Sequence, residues 1–152
     1  MESPTPNVIL LVEDNPIDVF LFERACSKIK VSFIYHAVPD GGRAIAYLSG
    51  VGKYADRLLY PLPNLIVLDI KLPDISGFDV LRWIRSEPDV KYLPVIMFTT
   101  SSFETDVAKA YENQVNGYIV KPVDSTLFTE IIQSLENFWL RKNVTPKTVP
   151  SP

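Results

Sequence analysis

The chain alternates between two apolar rhythms. Short runs in which nearly every residue is apolar recur at 8–12, 33–37, 65–68, 95–98 and 118–120. Four of the five are almost unbroken, which suits parallel strands covered on both faces. Between them the apolar residues space out at helical intervals. The stretch 16–29 begins with Asn15 as N-cap and Pro16 at the first helical position. A second stretch covers 41–48. A third starts with Ser76 and Asp79 in a capping-box arrangement and carries Phe78, Leu81, Trp83 and Ile84. A fourth opens with Ser101-x-x-Glu104, so Ser101 is expected to cap it. The fifth follows Asp124 and repeats Leu127/Phe128, Ile131/Ile132, Leu135 and Phe138/Trp139. The order βαβαβαβαβα predicts an α/β fold with a doubly wound parallel sheet.

Prolines punctuate this pattern. Eight of the thirteen (16, 39, 61, 63, 73, 88, 94 and 122) fall where one periodicity gives way to the other, as befits a residue that breaks both helix and central strand. The other five sit near the chain ends. We therefore expect flexible tails at 1–6 and 142–152 and one domain over 7–141. The longest connection, 49–63, reads as an exposed loop.

Composition narrows the function. At 152 residues, 47% hydrophobic and 22% charged, the chain has the make-up of one globular domain with a real core. A net charge of −3 leaves no basic footprint for a nucleic-acid backbone. No apolar run exceeds five residues, so neither a membrane span nor a signal segment is expected. The single cysteine, Cys26, cannot close an internal disulfide, and with one histidine, His36, no Cys/His metal cluster can form. A cytoplasmic protein follows as the expectation. Cys26 reads as an inert apolar helix residue, His36 as a half-buried strand residue and Trp83 as packing.

Candidate chemistry lies where the strands end. Ligands of an open parallel sheet bind beyond the carboxyl ends of its strands. The first run leads into Glu13-Asp14, the third into Asp69, the fourth into Thr99-Thr100 and the fifth into Lys121-Pro122. Three clustered carboxylates repel one another unless a counter-charge joins them. Mg²⁺, which takes a few carboxylates together with water and phosphate oxygens, is the cation that fits. Asp69 is then free to attack phosphorus as a nucleophile. Lys121 and the Thr99 hydroxyl would meet the charge on the transferring group. Each residue alone has a plainer reading: helix-dipole acids for Glu13-Asp14, a loop acid for Asp69, a surface lysine for Lys121, a buried hydroxyl for Thr99 and a core aromatic for Tyr118.

Taken together, these motifs resemble the receiver domains of bacterial two-component response regulators. The matching elements are Leu11-Val-Glu-Asp-Asn15, Leu68-Asp-Ile-Lys-Leu-Pro73 with Gly77, Pro94-Val-Ile-Met-Phe-Thr99 and Gly117-Tyr-Ile-Val-Lys-Pro122, within roughly 8–140. The resemblance implies a flavodoxin-like (βα)5 fold with strand order 2-1-3-4-5. It also implies that Asp69 accepts a phosphoryl group from a sensor histidine kinase. Glu13, Asp14, Asp69 and the Lys71 carbonyl would hold Mg²⁺, and Thr99 and Lys121 would bind phosphoryl oxygens. Tyr118 matches the switch aromatic, which turns inward as Thr99 moves and so alters the face made by the fourth helix, fifth strand and fifth helix. A cis Lys121–Pro122 peptide is expected, as in many members. Thr100 stands where a small residue is usual, so slow turnover of the phosphate is expected. The long 49–63 loop, Thr99-Thr100-Ser101 and the ending Glu136-Asn-Phe-Trp-Leu140 are similar to single-domain regulators paired with bacteriophytochrome kinases.

Three other functions share parts of the pattern. An aspartyl-nucleophile phosphatase would place a second Asp two residues after the first, where Lys71 stands. A flavin carrier would follow its first strand with a Ser/Thr/Gly phosphate loop, where Glu13-Asp14 would repel the phosphate. A phosphorylation-independent binding module would not need the full acid and lysine set. Partners expected for the main reading are a sensor histidine kinase, phytochrome-like by the narrower resemblance, and a downstream protein or phosphotransfer protein, with no direct nucleic acid and no membrane. The first helix is expected to expose Val19 and Phe22 toward the kinase. Because the fifth helix carries more apolar positions than one stripe, a homodimer through it is also expected.

Overall fold

The structure is a computed structural model and describes residues 5–146. The tail positions 1–4 and 147–152 lie outside the described residues. The chain runs β1 (Val8–Val12), α1 (Pro16–Ile29), β2 (Ile34–Val38), α2 (Gly41–Ser49), β3 (Leu65–Leu68), α3 (Gly77–Ser86), β4 (Val95–Thr99), α4 (Glu104–Glu112), β5 (Gly117–Val120) and α5 (Ser125–Leu135). All strand pairs are parallel and the sheet order is β2-β1-β3-β4-β5. This is the flavodoxin-like order expected from the resemblance.

Side-chain alternation divides the core into two layers. Leu10, Val12, Ile66, Leu68, Val95 and Met97 face α2, α3 and α4, where they meet Tyr47, Leu48, Phe78, Leu81 and Ile84. Ile9, Leu11, Leu65, Val67, Ile96 and Phe98 face α1 and α5, where they meet Phe22, Cys26, Phe128 and Ile132. Every residue of β1, β3 and β4 is buried, which is why those runs lack polar alternation. β2 and β5 form the edges and are only partly covered.

Several local expectations need correction. Phe22 is 1% exposed and packs on Phe33 and Tyr35, so it belongs to the core; Ile17 and Phe20 are the apolar side chains that α1 presents to solvent. The phase is set by Phe22, Ala25 and Cys26, spaced three and four apart on one face. Ser101 does not cap α4. The cap position is Phe103, without a side-chain bond, while the Ser101 hydroxyl donates to Asp106 in the first turn of the helix. α5 ends in a π-helical turn, Glu136–Leu140, where the buried Glu136 carboxylate accepts from the Ser32 backbone N–H and hydroxyl.

The 49–63 connection is largely exposed, as expected, but it is not structureless. It contains a 3₁₀ turn, Gly52–Ala55, and is gathered by Arg57. That guanidinium donates to the Tyr47, Leu48 and Tyr60 carbonyls, satisfying the orphan end of α2. Tyr47, Tyr54 and Tyr60 pack together beneath the loop, and the His36 ring lies 5.7 Å from Tyr47 and 5.3 Å from Tyr60.

His36 Nε2 is buried there without a hydrogen-bond partner. Burial holds the imidazole below its ordinary value of 6.5 and favours the neutral ring. The unfolded chain therefore binds this proton more readily than the fold does. Stability is unaffected above the unfolded value and falls as pH drops through it. Urea unfolding of wild type and His36→Phe should diverge between about pH 7 and about pH 5, wild type losing more. Parallel losses would refute this. Among the described residues no helix is long and apolar enough to cross a membrane.

Candidate functional site

The sheet ladder continues one residue past the strands and fixes the polar residues that follow. Glu13 N–H donates to the Val38 carbonyl at 3.0 Å, Asp69 N–H to Val12 at 3.1 Å and Lys121 N–H to Thr99 at 2.7 Å. The ends of β1, β3 and β5 are thus pinned at one edge by backbone bonds before any side-chain contact forms. Beyond Asp69 the chain turns tightly, and Gly77 N–H reaches back to the Ile70 carbonyl at 2.8 Å. Ser76 and Asp79 form the capping box that starts α3. The Asp74 carboxylate accepts from the N–H groups of Gly41 and Gly42 at 3.0 and 2.8 Å, fastening the same loop to the start of α2.

Glu13, Asp14 and Asp69 present carboxylate oxygens that all lie within 4.8 Å of one another. Glu13 and Asp69 are buried and Asp14 is exposed, so the set is open to solvent on one side. An all-oxygen donor set of this kind fits a hard divalent cation that keeps some of its water. Burial, followed by the neighbouring Asp69 charge, pushes the Glu13 carboxyl up to about 7 against the opposing pull of Lys121. Added positive charge at the site would reverse that shift. The Lys71 side chain is exposed, and among the described residues its carbonyl accepts no hydrogen bond.

Lys121 is the buried counter-charge. Its ammonium bonds Glu13, Asp18 at 2.8 Å and Asp69 at 2.9 Å, and it lies 5.9 Å from the centre of the Phe98 ring. Burial alone would lower this group, but the bonds it donates to Asp18, Glu13 and Asp69 outweigh it and raise it. Asp69 divides its oxygens: Oδ1 accepts from Ile70 N–H at 2.7 Å and Oδ2 faces Lys121. Asp18 is the member of this cluster that the sequence did not disclose. In the first turn of α1 it reads as an ordinary dipole-facing acid.

Thr99 is buried, and its hydroxyl oxygen accepts a long 3.4 Å bond from Ser101 N–H. Thr100 is exposed at the rim. Tyr118 is half-buried, with its hydroxyl donating to the Ser101 carbonyl at 2.8 Å. The Lys121–Pro122 peptide is trans, contrary to expectation, as is every peptide bond among the described residues. Trans is the intrinsically favoured X–Pro form, and in it the Lys121 ammonium already reaches all three carboxylates.

The family model for the response regulator receiver domain matches residues 9–133. The chain belongs to that family. Response regulator Rcp1 of Synechocystis sp. is 40% identical over 148 residues, covering 95% of this chain and 97% of Rcp1. The crystal structure of the phosphorylated cyanobacterial phytochrome response regulator RcpA superposes with a TM-score of 0.86 at 36% identity, covering 94% of this receiver and all of that chain. The Mn²⁺-bound form of Rcp1 superposes with a TM-score of 0.82 at 38% identity, covering 93% and 99%. The divalent-cation reading of Glu13, Asp14 and Asp69 agrees with a relative that binds Mn²⁺. The receiver is thus similar along nearly its whole length to single-domain, phytochrome-associated response regulators.

Proposed function

We propose that this receiver accepts a phosphoryl group on Asp69 from a histidine kinase, in a Mg²⁺-dependent reaction, and signals by protein contact. The observation that carries the reading is the convergence of Asp69, two further carboxylates and a buried lysine on one sheet edge. An Asp69 carboxylate oxygen attacks phosphorus, the P–N bond to the donor imidazole breaks, and that nitrogen leaves with the bonding pair. Mg²⁺ held by Glu13, Asp14, Asp69 and the Lys71 carbonyl would supply charge neutralisation on the phosphoryl oxygens. Lys121 and the Thr99 hydroxyl donate to those oxygens, and the exposed Thr100 at the rim slows the approach of water. The protein is then a phosphoacceptor whose only catalysis is its own modification and its reversal.

Tyr118 links this chemistry to the surface. Its hydroxyl bonds the carbonyl two residues beyond Thr99, so a shift of the β4 end is felt on the face made by α4, β5 and α5. Ile17 and Phe20, exposed on α1 next to the acidic edge, offer an apolar contact for the kinase. A phytochrome-like kinase is the proposed donor, because RcpA, a phytochrome response regulator, matches nearly end to end. We place the protein in the cytoplasm, where such a kinase presents its phosphohistidine.

The test is incubation with acetyl phosphate and Mg²⁺, read by intact mass. Wild type should gain one phosphoryl group and Asp69→Asn none. No gain by wild type overturns the reading in favour of a phosphorylation-independent binding module, and equal gain by the variant overturns Asp69 as the acceptor.

A homodimer through α5 belongs to the same proposal. Phe128, Ile132 and Leu135 are consumed by the core, yet Leu127 and Phe138 remain 49% and 53% exposed. With Ile119, Val120, Ile131 and Trp139 they line an apolar groove of about 590 Å³ beside the β5 edge. Sedimentation should give twice the 17.2 kDa chain mass for wild type and a monomer for Phe138→Glu. A monomeric wild type, with and without phosphorylation, rules the dimer out.

A further inference from the structure

Lys121 has three ammonium hydrogens and three carboxylate partners, so its donor capacity is fully used. Two of those partners, Glu13 and Asp69, also belong to the set suited to a divalent cation. The third, Asp18, does not. Its position in the first turn of α1 would ordinarily turn the carboxylate back onto the N–H of the N-cap residue. That N–H, on Asn15, is taken by Glu13 Oε2 at 3.2 Å, and Asp18 instead reaches across the edge to the end of β5.

We infer that Asp18 is a positioning residue for Lys121, holding the ammonium at the site when Glu13 and Asp69 are drawn to a divalent cation. This rests on the phosphoacceptor reading and adds a residue to it. A cation at Glu13 and Asp69 competes with Lys121 for the same oxygens and repels the ammonium. Without a further anchor, each cation bound must displace Lys121 from its only partners into a desolvated space. With Asp18 the ammonium keeps one bond, stays at the edge, and has two hydrogens free for phosphoryl oxygens. The Asp18 side chain is 19% exposed and Lys121 only 5%, so the anchor sits on the solvent side of the ammonium, away from the buried acids. Asp18 thus acts through Lys121 and need not touch the reacting atoms.

The test is a double-mutant cycle on Asp18 and Lys121, read by calorimetric titration of Mn²⁺. In the Lys121 background Asp18→Asn should weaken Mn²⁺ binding about tenfold, and in the Lys121→Met background by about twofold or less, because the competitor is gone. Asp18→Glu should recover most of the loss. An equal loss in both backgrounds would mean a through-space charge effect and would overturn the inference, as would no loss in either. If Lys121→Met does not fold, the single variants decide: failure of Asp18→Glu to recover binding sinks the idea. The titration needs no phosphorylation, so its outcome stands apart from the acetyl phosphate experiment. Where that experiment succeeds, Asp18→Asn should also slow phosphorylation at saturating cation by about tenfold without removing it.

Discussion

Lys121→Met should destabilise the protein in EDTA by about 3–5 kcal/mol, because removing one member of a buried ionic cluster leaves the others uncompensated. Glu13 and Asp69 are buried within one hydrogen bond of this ammonium, with Asp18 at its solvent side. No other cation contacts these acids among the described residues. The measurement is urea unfolding near pH 8, about one unit above the wild-type Glu13 value; without the pull of Lys121 that value rises further in the variant, so the loss should grow as pH is raised beyond 8. Millimolar divalent cation should then restore more stability to the variant than it adds to wild type, since the metal assumes the role of the missing ammonium. A variant as stable as wild type in EDTA would show that the cluster is not held together by Lys121. The same substitution should slow phosphorylation by orders of magnitude, as expected when a charged group aimed at transferring oxygens is removed.

The second large effect is expected at Gly77. A Cβ there would collide with the Asp69 carbonyl oxygen and lie 2.9 Å from Ile70 Cα. Both obstacles are backbone, and neither can rotate away. Gly77→Ala must therefore push the loop that carries Asp69 off the start of α3, breaking the Gly77–Ile70 hydrogen bond as it moves. Overpacking of this kind costs about 1–3 kcal/mol and occasionally more. Displacement of Asp69 by even an ångström should reduce phosphorylation by about a hundredfold. Unfolding and intact-mass kinetics on one preparation separate the two losses. Wild-type values for both would show that the loop has slack the geometry does not reveal.

The interior strands and the acids at their ends are legible in the sequence because burial on both faces leaves an unbroken apolar run, and the first polar residue after it must stand at the edge. Glu13, Asp69 and Lys121 are found this way, as is the start of α1 from Asn15 and Pro16. What escapes is set by contacts between elements. Asp18 looks like any first-turn acid until β5 brings Lys121 beside it. Phe20 and Phe22 are two residues apart in an apolar helix, and only the packing of Phe22 on Phe33 and Tyr35 decides which is inside. Ser101 satisfies a capping pattern but is claimed by Asp106, and its carbonyl by Tyr118.

The layout of charge also sets the mechanics of the edge. The metal-suited acids stand just past β1 and β3, strands clamped between two helix layers, whereas the ammonium that balances them stands just past β5, a partly covered border strand. The site is stiff under its negative charges and compliant under its positive one. On the proposed phosphoacceptor reading, a change in charge balance finds the acids with nowhere to go, and displacement is expected in the border strand and the helix that follows it. Force would then be delivered outward, to the side of the molecule where β5 and α5 meet solvent.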